Sequence, residues 1–316
     1  KPYEDQWYFF SMIQKMTPCE VENIISEAEQ KGEIINIKFS QTDEDDEPLK
    51  QPQRFKEKPL DLPLPDKVKI AISNLIYIEK EGLPSKILTR IKQTAAFQNP
   101  EFYKKQRMRF STALTPRVIS CAGDLPDRVT IPRGCLSEIE ELFKTHSVKI
   151  DMKDERYEGK EIDVSFHGKL NSSQYEASQS LLSHENDILV APPGFGKTIV
   201  GTYLISVRKK NTLILVHRSP LLEQWQSRLA SLLNISMNEI GVIGGGKNKP
   251  TGIIDIAMFQ SLFQKGVVND MVSQYGHVIV DECHHVSAFT FEQVLRMVKA
   301  RFIIGLTATP YRRDGH

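Results

Sequence analysis

Ile188-Leu189-Val190-Ala191-Pro192-Pro193-Gly194-Phe195-Gly196-Lys197-Thr198 decides the fold. An apolar run predicts a buried strand, the glycine-bearing segment a loop, and a helix is expected from about Lys197. A phosphate-binding loop needs these residue types. Gly194 and Gly196 let the backbone curl until several N–H groups point inward at phosphate oxygens. Pro193 and Phe195 complete the curl, and the following helix adds the positive end of its dipole. Lys197 sets a mobile cation on the β and γ phosphates, and the Thr198 hydroxyl can join a Mg²⁺ shell. Ala191 stands where the usual pattern has Gly.

Downstream, strand and helix patterns alternate. Asn211–Val216, Ile253–Met258, His277–Val280 and Phe302–Leu306 are expected strands, with a helix over Leu221–Leu233. This order predicts an α/β fold: a mostly parallel sheet with helices on both faces, and ligands beyond the carboxyl ends of its strands. The strand at 277–280 runs into Asp281 and Glu282. Asp281 suits Mg²⁺ held through water, and Glu282 suits a base that orients and deprotonates an attacking water. Cys283, His284 and His285 follow directly, but neighbouring strand residues point in opposite directions, which argues against a shared metal.

These motifs, in this order, resemble the first motor domain of a superfamily 2 helicase of the DEAD/DEAH type, over about residues 166–316. The resemblance implies a RecA-like P-loop NTPase domain that uses ATP and Mg²⁺. It places Gln174, in Leu170-Asn171-Ser172-Ser173-Gln174, as the reader of the adenine edge. Val216–Trp225 is similar to motif Ia, which implies nucleic-acid contacts at His217 and Arg218; Met258–Leu262 implies further contacts at Gln260 and Ser261. Asp281-Glu282-Cys283-His284 is the DEAH position, with Cys for Ala. Thr307-Ala308-Thr309-Pro310 looks like motif III, so His284, Thr307 and Thr309 are expected to couple hydrolysis to strand binding. A second RecA-like domain, which supplies catalytic arginines in this class, is expected outside the 316 residues, with Arg312 and Arg313 leading toward it.

The upstream half divides by composition. Residues 1–40 read as a helix, capped at Thr17-Pro18 and stopped at Gly32, then a strand over Glu33–Phe39. Residues 41–66 are acidic, then proline-rich, and read as a linker. Residues 67–116 read as a basic helical region. From Pro84 to Val118 eight basic residues, among them Lys104, Lys105, Arg107 and Arg109, face one acid, with four aromatics interleaved. Such a stretch suits phosphate contact and base stacking, or a solvated face. Residues 117–165 read as a small ββαβ-like module, with strands at 117–121, 128–132, 148–152 and 161–166 and a helix at 136–146. The module is similar to a small DNA-gripping domain ahead of the motor in XPB-like helicases. Stretches such as Pro2–Trp7, Ile76–Pro84, Ala95–Tyr103 and Pro132–Cys135 resemble TOTE conflict-system proteins of bacteria, where a primase-like region precedes such a helicase.

Composition sets the outer bounds. With 40% hydrophobic and 26% charged residues the chain is an ordinary globular one, and a net charge of +1 leaves any nucleic-acid surface local. Four scattered cysteines without a C-x-x-C fit a reducing cytosol and no zinc site, and the TOTE resemblance implies a bacterial cytoplasm. No apolar run reaches membrane-spanning length. A chain starting at Lys1 is expected to be a fragment. The expected activity is an ATP-dependent helicase or translocase, with DNA the foremost partner and RNA open. A translocating subunit of a type I or III restriction system, and a nucleic-acid-binding module with a degenerate motor, are the alternatives.

Overall fold

The computed structural model describes residues 64–285 and 289–309. The expected helix at 17–31, the strand at 33–39, nearly all of the linker, and Pro310, Arg312 and Arg313 lie outside the described residues.

The upstream region is built on strands β1 (Lys67–Ile72) and β2 (Ile76–Glu79), helix α1 (Ser85–Thr94), β3 (Ala96–Gln98), α2 (Pro100–Arg107), β4 (Val118–Ser120), β5 (Gly123–Asp124), β6 (Arg128–Ile131), α3 (Leu136–Thr145) and β7 (Lys149–Asp154). The helical reading of 67–116 is therefore corrected at its start. Lys67-Val68-Lys69-Ile70-Ala71-Ile72 alternates with period two, burying Val68, Ile70 and Ile72. Ile76 and Ile78 do the same in β2, which pairs with β1 in antiparallel register, Ile70 opposite Ile78. A face of alternate apolar residues is a strand's signature, not a helix's.

Five strands form one sheet in the order β5-β6-β2-β1-β7, with β1 and β7 parallel. The sheet takes strands from both sides of residue 117. Ile87 and Ile91 of α1, with Ile139 and Phe143 of α3, close its core, each buried aliphatic or aromatic side chain contributing about 1.5–3 kcal/mol. The β3–β4 ribbon, Phe97 opposite Ile119, stands apart as a second sheet and carries α2. No strand forms at 161–166. Glu161 makes one isolated bridge to Lys210, and Ile162 and Val164 join the core of the downstream domain.

The downstream domain runs through α4 (Ser172–Leu182), β8 (Asn186–Val190), α5 (Lys197–Arg208), β9 (Thr212–Val216), α6 (Ser219–Leu233), β10 (Ile240–Gly244), β11 (Lys247–Lys249), β12 (Ile254–Met258), α7 (Phe259–Leu262), the small ribbon β13 (Phe263–Gln264) and β14 (Val267–Val268), β15 (His277–Asp281), α8 (Phe289–Arg296) and β16 (Phe302–Thr307). The seven-stranded order is β11-β10-β12-β9-β15-β16-β8. Every pair is parallel except β10 with β11. Buried on both faces, β9 (TLILV) and β15 (HVIVD) are almost continuous apolar runs, as a parallel sheet requires. One core lies under α5 and α6, around Val200, Leu204, Leu222 and Leu229. The other lies under α7 and α8, around Phe259, Leu262, Phe291 and Val294.

Candidate nucleotide and nucleic-acid site

Register brings the candidate residues together. Val190 pairs with Thr307, and Leu306 with Asp281, so three strands end side by side at the carboxyl edge of the sheet. Adjacent strands lie about 4.8 Å apart. Ala191 N–H then donates to Thr307 O at 3.0 Å, and the chain turns into the loop.

The loop has the left-handed backbone that its glycines permit: φ is +85° at Gly194 and +91° at Gly196. Pro193 and Gly194 are exposed, while Lys197 and Thr198 are half-buried. Gly196 caps α5 directly. The Lys197 ammonium donates to Ala191 O at 3.0 Å, folded over the loop that its charge would otherwise serve. Gln174 is buried against this loop. Its Nε2 donates to Phe195 O at 2.7 Å and its Oε1 accepts from Asn171 N–H at 3.0 Å, within a capping box that starts α4. A primary amide has two N–H donors, so beyond the bond to Phe195 O one N–H of Gln174 stays available.

Asp281 is 8% exposed. Its Oδ2 accepts from Trp225 Nε1 at 2.8 Å and its Oδ1 from Glu282 N–H at 3.0 Å. Burial pushes its carboxyl above the usual range, while the indole bond and the Lys197 charge pull the other way. Glu282 sits at φ +50°, a left-handed conformation for a residue with a Cβ. Such a backbone costs on the order of 1–3 kcal/mol and is held only by its surroundings.

Beyond the carboxylates, the Thr307 hydroxyl joins the Thr309 backbone to the His284 imidazole. Thr307 Oγ1 donates to Thr309 O at 2.8 Å and accepts from Thr309 N–H at 3.1 Å. Its single proton is thereby used, so the 2.9 Å contact with His284 Nδ1 requires that nitrogen to carry the hydrogen. The same Nδ1 lies 3.3 Å from Glu282 Oε2. Cys283, in the place of Ala, packs against the core under α7 and α8; burial pushes its thiol up to about 11, so it stays neutral.

His217, Arg218, Pro220, Leu221, Glu282 and His284 line one open depression. Arg218 caps α6, and Gln260 Nε2 donates to His217 O at 3.3 Å, joining the ends of β9 and β12. Ser261 lies in α7, its carbonyl accepting from Gln264 Nε2 at 3.3 Å. The basic residues of α2 lie elsewhere, on the β3–β4 ribbon. That helix buries none of its residues. Lys104, Arg107 and Arg109 are exposed, whereas Lys105 is tied to Glu101 at 2.6 Å and Thr115 at 2.8 Å. Sequence reasoning missed Trp225 as a partner of Asp281. Its only local signal was being one of two tryptophans, inside the stretch that resembles motif Ia.

A phosphate loop, a strand-end carboxylate pair and a parallel sheet with helices on both faces define a RecA-like P-loop domain. A family model described as type III restriction enzyme, res subunit, matches residues 167–312. The DNA 3'-5' translocase XPB2 of Sulfurisphaera tokodaii is 32% identical over 147 residues, 46% of this chain and 32% of that protein. The DNA 3'-5' helicase XPB of Kineococcus radiotolerans is 31% identical over 161 residues, 49% of this chain and 28% of its own. Over residues 167–312 the chain is thus similar to the motor domains of superfamily 2 helicases and translocases. The chain spans from about a third to just over half of the curated relatives it matches first. The UvsW helicase of bacteriophage T4 shares the fold, with a TM-score of 0.56 at 17% identity over 77% of this chain and 92% of that one. That coverage exceeds the family match, so the fold likeness reaches into the upstream region. No helix among the described residues is long and apolar enough to cross a membrane.

Proposed function

We propose that this chain is the ATP-binding part of a nucleic-acid motor, coupling ATP hydrolysis to movement on DNA. One observation carries the reading: Glu282 and His284 line the same depression as His217 and Arg218. The group suited to activating water and the groups suited to phosphates of a strand thus share one surface. The names of the archaeal and bacterial relatives support DNA as the track.

In this reading the loop N–H groups and Lys197 hold the phosphates, the ammonium leaving Ala191 O to do so. The second N–H of Gln174 reads the adenine edge. Glu282 accepts a proton from the attacking water, and its left-handed backbone aims it away from the strand. His284 donates from Nδ1 to Thr307 and Glu282, which ties the base to Thr309 and the end of β16. His217, Arg218, Gln260 and Ser261 contact the strand, and the cations of α2 add contacts upstream.

Thr198 and Asp281 fit Mg²⁺, which prefers hard oxygen donors. Among the described residues no three His, Cys, Asp or Glu side chains converge on one point. Mg²⁺ in such sites usually keeps several waters and takes substrate phosphates as ligands. When bound it would neutralise phosphate charge. Full turnover requires a second RecA-like domain to bring an arginine to the γ phosphate, an effect worth about 10³–10⁵ in rate.

Nucleotide titration and single-turnover assays on two variants test the motor. Lys197→Ala is expected to lose productive ATP binding, and Glu282→Gln to bind ATP but not hydrolyse it. Hydrolysis by Glu282→Gln at the parent rate would remove Glu282 as the base. The family description favours one second reading, a restriction translocase. It differs in that ATP-dependent movement would end in cleavage of the DNA by an associated nuclease.

A further inference from the structure

Trp225 stands where three parts of the site meet. It is carried by α6, whose first turn, at Arg218 to Leu221, lines the depression shared with Glu282 and His284. Its Nε1–H donates to Asp281 Oδ2 at 2.8 Å. Its far edge rests on α5, where a Cβ at Gly201 would come within 2.9 Å of its Cη2. Gly201 is about one helical turn beyond Lys197. One rigid ring therefore touches the helix that begins at the phosphate loop and the carboxylate at the end of β15, and it moves with the helix that begins at the strand-contact residues.

A tryptophan that only fills a core needs neither contact. Core filling leaves the N–H free to find any carbonyl, and it is indifferent to a missing side chain opposite. Here the N–H is spent on the one buried carboxylate at the nucleotide end of the sheet, and the ring is 1% exposed. Hydrogen bonds weaken steeply with misalignment, so a small slide or roll of α6 changes how the Asp281 carboxylate is held. With Gly201 beneath it, the ring has no side chain there to cushion the movement against α5.

We propose that Trp225 is a positioning residue that couples strand occupancy at the start of α6 to the orientation of Asp281 at the nucleotide site. The proposal rests on the motor reading above. It predicts a thermodynamic coupling: strand and nucleotide change each other's affinity by one common factor, because linkage is reciprocal.

The test uses the whole chain, a slowly hydrolysed ATP analogue with Mg²⁺, and oligodeoxythymidylate. Each affinity is measured alone and with the other ligand saturating. The parent is expected to show a coupling factor of about 5 or more, and Trp225→Phe to bring it to about 1 while each ligand still binds alone. Gly201→Ala keeps the indole N–H but displaces the ring. Because Ala favours helix over Gly, α5 itself is not weakened, and the same loss of coupling is expected. The chain has two tryptophans, so Trp7→Phe leaves Trp225 as the sole emitter. Its emission is expected to change when oligonucleotide binds without nucleotide. A parent that binds both ligands with a factor of 1, or a Trp225→Phe variant that keeps the parent's factor, overturns the coupling and leaves the motor reading in place. A parent that binds neither ligand takes down both.

Discussion

The two ends of the seven-stranded sheet treat polar groups in opposite ways. At the amino end they are spent on the protein itself. Arg133, from the turn before α3, donates to Ala300 O at 2.6 Å, more distantly to Ser73 O and Arg301 O, and to the Asn186 side chain. Arg156 bridges Asp154 and Glu185, both at 2.6 Å, and Arg301 holds Glu185 at 2.8 Å and Glu158. Arg208 donates to Leu181 O at 3.0 Å and His184 O at 2.9 Å and meets His277 Nε2 at 3.1 Å. Burial pulls Arg133 and Arg208 down to about 10, yet both stay charged at neutral pH. At the carboxyl end Pro193 and Gly194 of the loop are exposed, Lys197 has one hydrogen bond among the described residues, to Ala191 O, and Glu282 lines the open depression. A non-glycine residue is left-handed at each end, Glu282 at the carboxyl end and Lys209, beside Arg208, at the amino end.

The largest expected effect separates function from stability at one residue. Glu282→Gly should lower ATP turnover by about 10²–10⁴, the usual worth of a general base. It should also raise stability by up to about 1 kcal/mol, because glycine adopts a left-handed backbone without a Cβ penalty. Turnover assays beside urea unfolding check both halves. A fall in stability would mean that Glu282 is held by attraction, not strain. The converse variant is Arg133→Met at the amino end. It leaves the buried Ala300 O without its donor, at about 1–3 kcal/mol, whereas the exposed Asn186 amide can turn to water. Nucleotide affinity should be unchanged in whatever remains folded. An equal loss of affinity and stability would erase the distinction between the two ends.

The carboxyl end was far more legible in the sequence than the amino end. Its residues come as short contiguous runs, Gly194 to Thr198 and Asp281 to His284, at the ends of apolar strands whose period is plain. The expected strands at 211–216, 253–258, 277–280 and 302–306 lie within one residue of β9, β12, β15 and β16. The amino end pairs residues with no local signature: Arg133 is 167 positions from Ala300, and Arg208 is 69 from His277. Trp225 and Asp281 are hidden for the same reason, 56 positions apart. The hairpin at 67–79 is a different case. Val68, Ile70 and Ile72 alternate over six residues, but a longer window blends them with the proline-capped helices at 85 and 100.

His277 gives the amino end a pH dependence. Burial first, and then the Arg208 charge, hold its imidazole well below the ordinary 6.5. In the folded chain it is neutral, whereas the unfolded chain takes up a proton near 6.5. The unfolded state thus binds more protons in acid, and stability falls as pH drops below that point. One proton corresponds to about 1.4 kcal/mol per pH unit. Unfolding free energies of the parent should decline from pH 6.5 to 5, and His277→Gln should remove that part of the slope. Parallel pH profiles would show that His277 takes its proton inside the fold.

The smallest expected effect lies outside both ends, on the ribbon that carries α2. Arg133, in the turn before α3, links the upstream region to Ala300 just ahead of β16. Lys104, Arg107 and Arg109 are exposed, and among the described residues no ion pair involves them. Met108 and Phe110 beside them are 54% and 65% exposed, and Leu114 is 99% exposed. Cations around an exposed apolar tip suit phosphates with bases beside them. Each phosphate contact on duplex DNA contributes about 0.9 to the slope of log affinity against log salt, and about 0.7 on a single strand. Replacing Lys104, Arg107 and Arg109 by Gln should therefore flatten the slope by up to about 3 on duplex, equally for all sequences. Lys105, engaged by Glu101 and Thr115, should add less when replaced in turn. The Arg133 link sharpens the test. If the ribbon's contribution depends on the Arg133 link, Arg133→Met should flatten the slope as well, with Lys104, Arg107 and Arg109 in place. A slope unmoved by the triple variant would make α2 a solvated face and remove it from the nucleic-acid surface.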